Sequence, residues 1–147
     1  MSKTQLLCHV VFCTKNRAKT IPLSKREDLY KYIYGILSSL GCYLVRINGM
    51  EDHIHILFEL KPTLSLSETM KTVKQSSSFW LKDNQVYGSF EGWGKGYFAV
   101  SVSPTAKESC RQYIMNQELH HKGAEFVNEL ESMIKTAGLV WFEDEWR

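Results

Sequence analysis

Two histidines, His53 and His55, stand one residue apart in the run Asp52-His53-Ile54-His55-Ile56-Leu57-Phe58-Glu59-Leu60. In an extended strand, alternate side chains point to opposite faces. Ile54, Ile56, Phe58 and Leu60 then form an apolar face, and His53, His55, Leu57 and Glu59 share the other. Two imidazoles on one face have the geometry for two ligands of one metal ion. Two half-exposed histidines on a solvent face would give the same pattern. A metal reading needs a third ligand, and no H-x-x-H or H-E-x-x-H lies nearby.

The second group is Arg111-Gln112-Tyr113-Ile114-Met115-Asn116-Gln117-Glu118-Leu119-His120-His121, which reads as the end of a helix. Tyr113 and Gln117 fall at i and i+4 on one helix face, and His121 extends that row. Cys110, Ile114 and Leu119 face the core. On spacing alone, Tyr113 could equally be an amphipathic boundary residue and Gln117 a solvated one.

The elements that must position these groups follow from patterning. Gln5 to Cys13 alternates and is β-branched and aromatic, so it reads as a strand. Ser24 with Glu27 has the spacing of a capping box and opens a helix to Leu40, with Leu29, Ile33, Ile36, Leu37 and Leu40 as its stripe and Gly41 after it. Cys42 to Ile47 and His53 to Leu60 read as strands joined by a turn at Asn48-Gly49. Ser65 with Glu68 caps a helix to Lys82, and Gly88 to Gly96 is too glycine-rich for an element interior. Tyr97 to Ser103 reads as a fourth strand. Pro104 and Thr105, with Glu108, open a helix to His120, and Glu125 to Thr136 forms a last one.

The order β-α-β-β-α-β predicts an α+β fold, with a ferredoxin-like (RRM-like) four-stranded antiparallel sheet and helices on one face. The C-terminal tyrosine-bearing helix is added to it. The opposite sheet face is expected to be free for a site or a partner, which would leave the histidines outside the helix-packed core.

The 147 residues fit one domain, 1–147, and 44% hydrophobic with 23% charged residues argues against disorder. A net charge of +2 permits nucleic-acid binding without requiring it. No secretory signal and no apolar run of about 20 residues is seen, so a cytoplasmic location is expected. Cys8, Cys13, Cys42 and Cys110 contain no C-x-x-C pair and read as small core residues.

Several blocks act together. They are His9 with Thr14-Lys15-Asn16-Arg17, then Asp52-His53-Ile54-His55, then Trp93-Gly94-Lys95-Gly96-Tyr97-Phe98 leading into Ser101-Val102-Ser103, and last Tyr113 to His121. In this order and spacing, the chain resembles the small single-tyrosine HUH transposases of bacterial insertion sequences, which include the related repeat-associated tyrosine transposases. The resemblance implies that His53 and His55 are the HUH metal ligands, Gln117 the third ligand and Tyr113 the nucleophile. It implies Mg²⁺ or Mn²⁺ as the ion, single-stranded DNA as partner, with hairpin-forming element ends as the expected form, and a homodimer in which the tyrosine helix completes either its own or its partner's site. It also leaves a mobile-element and a domesticated role open.

The chemistry suits those residues. A phenol titrates near pH 10, so only about one tyrosine in a thousand is ionised at pH 7, a deficit of roughly 4 kcal/mol. Attack by tyrosine keeps the phosphodiester energy in a 5′-phosphotyrosine, which a 3′-hydroxyl can reclaim to reseal a strand. For the DNA, Lys15, Arg17 and Lys19 cluster after the first strand, and Lys71, Lys74, Gln75, Ser78 and Lys82 form one polar stripe on the second helix. Phe79, Trp80 and Trp93 are candidates for base stacking, or else core. Two other classes compete. A non-enzymatic RRM-like module would show aromatics on its central strands where His53 and His55 stand, and a metal-dependent phosphohydrolase would need the histidines without Tyr113.

Overall fold

β1 (Leu7–Cys13) lies inside the sheet, between β3 (His53–Glu59) and β4 (Phe98–Val102), and β2 (Tyr43–Met50) lies outside β3. All neighbouring strands are antiparallel, in the order β2-β3-β1-β4. Helices α1 (Arg26–Ser39) and α2 (Leu66–Asp83) make the crossovers, so the predicted β-α-β-β-α-β ferredoxin-like order is present. This computed structural model describes residues 1–120 and 125–146.

On one sheet face, Val10 and Phe12 of β1 and Ile54, Ile56 and Phe58 of β3 meet Leu29, Ile33 and Leu37 of α1 and Met70, Val73 and Leu81 of α2. Burying each such side chain contributes about 1.5–3 kcal/mol, so this packing fixes which way β3 faces. Gly41 follows α1 at φ 84°, a left-handed conformation that suits glycine. Ser65 Oγ accepts from the Glu68 N–H at 3.1 Å and caps α2. Lys74 Nζ donates to the carbonyls of Gly94 and Gly96, both at 2.8 Å, and ties the glycine-rich segment to α2.

The other sheet face is not open. α3 (Lys107–Met115) and α5 (Phe126–Thr136) lie over it. Ile114 of α3 packs on Leu7 and Leu57. Phe126, Leu130 and Ile134 of α5 pack on Val11, Cys13 and Phe98. An exposed histidine face was expected; instead His53 and His55 are 0% exposed. The reason is α5's apolar stripe, which needs a surface to cover.

Other boundaries shift for physical reasons. β2 continues to Met50, so the hairpin turn falls on Glu51 and Asp52 and not on Asn48-Gly49. Gly49 serves close approach, because a Cβ there would sit 2.1 Å from the His53 carbonyl oxygen. The Ser24–Glu27 capping box does not form: a 3₁₀ turn over Leu23–Lys25 precedes α1, whose N-cap is Lys25. Glu108 likewise binds Arg111 and Gln112 instead of capping α3. The expected helix to His120 breaks at Asn116, leaving α3 and a short α4 (Gln117–His120). His121 lies outside the described residues. Among the described residues, no helix is long and apolar enough to cross a membrane.

Candidate active site

β3 places His53 and His55 on the face that α3 and α5 cover, as the strand period requires. Each ring is held from behind. His53 Nδ1 is 2.7 Å from Asp52 Oδ1, and His55 Nδ1 is 2.9 Å from Nε2 of His9, which β1 places alongside. Such outer hydrogen bonds fix the tautomer and orientation of metal-binding histidines. Phe126 also stacks on His53, with ring centroids 3.9 Å apart. Burial, then the neighbouring His55, lowers the His9 pKa to about 3, so His9 is neutral.

Both Nε2 atoms point toward a cluster of oxygens. Gln117 Oε1 lies 3.0 Å from His53 Nε2. Glu129 Oε1 lies 3.0 Å from His55 Nε2 and 3.7 Å from His53 Nε2. His53, His55 and Glu129 offer ligand atoms that all lie within 4.8 Å of one another. Adjacent ligands on an octahedral ion with bonds of about 2.1 Å stand about 3.0 Å apart. Two imidazoles, an amide oxygen and a carboxylate thus fit a divalent cation in donor type, spacing and outer support.

Tyr113, on α3, meets the same carboxylate. Its hydroxyl donates to Glu129 Oε2 at 2.5 Å, while its ring lies 5.9 Å from that of His55. Burial first, then the Glu129 hydrogen bond and charge, push the phenol well above its ordinary range. Deprotonating this oxygen would therefore need a proton acceptor and positive charge nearby. Gln117 is fully buried, as are the histidines, whereas Tyr113 and Glu129 also line an open cleft.

All of these groups come from one chain, and the break at Asn116 does not separate Gln117 from the site. Asn48 of β2 bridges that break, its Nδ2 donating to the Ile114 carbonyl at 3.1 Å and the Met115 carbonyl at 3.0 Å. Glu129 had no sequence signal beyond a carboxylate on an amphipathic helix, and 74 residues separate it from His55. His9 stood only in the family-like blocks.

The expected DNA contacts are more scattered. Lys71, Gln75 and Ser78 lie on α2, with the sheet between that helix and the histidines, and Lys71 and Gln75 are exposed. Lys74 is half-buried in the Gly94 and Gly96 contacts. Lys15 is exposed beyond β1. Asn16 and Arg17 have φ of 58° and 55°, and Arg17 Nη1 is buried with no hydrogen-bond partner. Non-glycine residues at positive φ cost on the order of 1–3 kcal/mol each and concentrate at functional sites. Of the aromatics, Trp80 stacks on Tyr32, Trp93 donates to Ser77 and packs on Phe12, and Phe79 is 74% exposed.

The chain has relatives. The ISDra2 transposase TnpA of Deinococcus radiodurans is 23% identical over 120 residues, 77% of this chain and 84% of that protein. The transposase for insertion sequence element IS200 of Salmonella typhimurium is 29% identical over 115 residues, 74% of each chain. Among solved structures, a transposase from Deinococcus radiodurans aligns with TM-score 0.60 and 24% identity, covering 79% of this chain and 93% of its own. A REP-associated tyrosine transposase bound to a REP hairpin aligns with TM-score 0.61 and 12% identity, covering 100% of this chain and 92% of its own. Those two likenesses establish the fold; the sequence establishes more, because residues 2–117 match the family described as Transposase IS200 like, and the chain belongs to that transposase family.

Proposed function

We propose that the chain moves an insertion-sequence element by nicking and rejoining single-stranded DNA, with Tyr113 as nucleophile beside a Mg²⁺ or Mn²⁺ site formed by His53, His55, Gln117 and Glu129. The observation that carries this reading is one carboxylate joining two groups: Glu129 lies 2.5 Å from the Tyr113 hydroxyl and 3.0 Å from His55 Nε2. A bound divalent ion would polarise the scissile phosphate and offset the charge that develops on it.

The chain's own residues do the rest. Asp52 and His9 hold the imidazoles in orientation, and α3 holds the phenol. Glu129 Oε2, already accepting the phenol hydrogen bond, takes the proton as the tyrosine oxygen bonds to phosphorus. The bond from phosphorus to the 3′ oxygen breaks, and that oxygen takes a proton from solvent water and leaves as a 3′-hydroxyl. The product is a 5′-phosphotyrosine, which another 3′-hydroxyl attacks to reseal DNA. Arg17 and Lys15 are proposed to neutralise phosphates at the β1 end, with Lys71, Gln75 and Ser78 as a second, α2 surface, while Lys74 holds the glycine-rich segment against α2. The REP hairpin carried by one structural neighbour supports nucleic acid as the partner.

The test uses labelled single-stranded oligonucleotides from the DNA flanking the gene, with Mg²⁺ or Mn²⁺, on denaturing gels. A labelled species heavier by one chain is expected, lost with EDTA and lost in Tyr113→Phe while DNA binding persists. Nicking by Tyr113→Phe at a comparable rate would overturn the nucleophile. A homodimer is proposed as the working form. Light scattering after size exclusion checks it, and a 17.0 kDa species alone at micromolar concentration would refute it.

A further inference from the structure

An open cleft of about 620 Å³ runs between β4 and α5 and ends at Tyr113 and Glu129. That volume lies in the range of about 300–1,000 Å³ typical of small-molecule sites. Its floor is Phe98, Val100 and Met133. One wall is a row of polar side chains, Asn128, Ser132 and Thr136, one helical turn apart along α5 and all exposed. Apart from Tyr113 and Glu129, the cleft lies beyond what the metal and nucleophile reading uses, and all of its α5 wall falls outside residues 2–117.

We infer that this cleft receives an unstacked nucleobase of the strand being cut, from a nucleotide next to the scissile phosphate. The inference rests on the proposed single-strand chemistry. Three features select this occupant. Tyr113 closes one end, so a strand whose phosphate meets the phenol must place a neighbouring base at the mouth of the cleft. Among the described lining residues the one charged group is Glu129, which repels phosphate but tolerates a neutral ring. The apolar floor with a tyrosine ring suits a flat aromatic face, and the amide and hydroxyl row suits the donors and acceptors of a base edge. A base held here also explains how a strand reaches a site whose histidines and Gln117 are fully buried: it approaches through Tyr113 and Glu129, which both the cleft and the cluster share.

The experiment is photo-crosslinking with single-stranded oligonucleotides from the DNA flanking the gene, carrying 5-iodouracil at successive positions, followed by peptide mapping. The parent chain is compared with Ser132→Trp and Thr136→Trp, two exposed positions where a bulky ring fills the cleft without entering the core. Crosslinks on Phe98–Val102 or Phe126–Thr136 are expected from one or two adjacent positions, reduced at least tenfold by either variant, with thermal unfolding unchanged. Crosslinks confined to α2 or to the segment after β1 would overturn the base site while leaving the DNA reading intact. Absence of both crosslinks and binding would overturn the two together. If the variants change only the mass seen by light scattering, the cleft seats a second copy of the chain and the base site is refuted.

Discussion

Replacing Glu129 by Gln keeps the side chain's size while removing the charge that faces both His55 Nε2 and the tyrosine hydroxyl. Suppose Mn²⁺ is added at one hundred times the parent's Kd. Binding to the folded state then contributes about 2.7 kcal/mol of stability. For a chain of this length, each kcal/mol moves Tm by roughly 2–4 °C, so the expected rise is about 5–11 °C. Losing a supporting group at a metal site costs about 10–100-fold in affinity, and a directly ligating carboxylate should cost no less. At the same Mn²⁺ concentration, the variant then keeps only about 0.4–1.4 kcal/mol, a rise of roughly 1–6 °C. The assay is differential scanning fluorimetry of parent and variant, each with Mn²⁺ and with EDTA. Comparing the metal-dependent rise cancels any change in the metal-free protein, where a buried carboxylate becomes a neutral amide. A full rise in Glu129→Gln would refute Glu129 as a ligand. No rise in the parent at millimolar Mn²⁺ would refute the metal centre itself.

Three other outcomes are expected. His9→Phe removes the 2.9 Å partner of His55 Nδ1, so Mn²⁺ affinity measured by calorimetry should fall about 10–100-fold; an unchanged affinity would show that His9 does not orient His55. Gly49→Ala drives a Cβ to 2.1 Å from the His53 carbonyl oxygen, and urea titration should show a loss of about 3 kcal/mol or more, above the usual overpacking cost. Lys71→Gln should reduce the salt slope of single-strand binding by about one unit with unchanged stability, whereas Lys74→Gln should lower stability by about 1–3 kcal/mol, because its ammonium serves the Gly94 and Gly96 carbonyls. Equal effects at both positions would contradict the partition between surface and structural lysine.

The alternation of Ile54, Ile56 and Phe58 with His53 and His55 was readable because a strand's period is local and the apolar half has one place to go. Ser65 before α2 was readable for the same reason, since a cap is satisfied within a few residues. The Ser24–Glu27 pair has the same spacing but does not cap, because the chain enters α1 through a 3₁₀ turn. Asn48-Gly49 has the composition of a tight turn, yet tertiary demands override it: Asn48 reaches the end of α3, and Gly49 lies against the His53 carbonyl. The burial of the histidines could not be read from β3, because it depends on α5 folding back over the sheet. Glu129 was hidden for that reason as well. Its role exists only where α5, α3 and β3 converge, and nothing in the spacing of its own helix distinguishes it from Glu131, which pairs with Lys135 on the surface.

The two hydrogens of the Asn48 amide are both spent, one on each of two carbonyls at the end of α3. That makes position 48 a narrow gate for sequence drift. Aspartate, nearly the same shape, would set a carboxylate against two carbonyl oxygens, and serine would supply one hydrogen for two acceptors. Glutamine would bring the right donors one methylene too far. Across descendants of this chain, Asn48 should therefore vary together with the α3–α4 junction at Ile114 to Asn116 and less freely than the exposed faces of α1 and α2, although it is not among the candidate metal ligands.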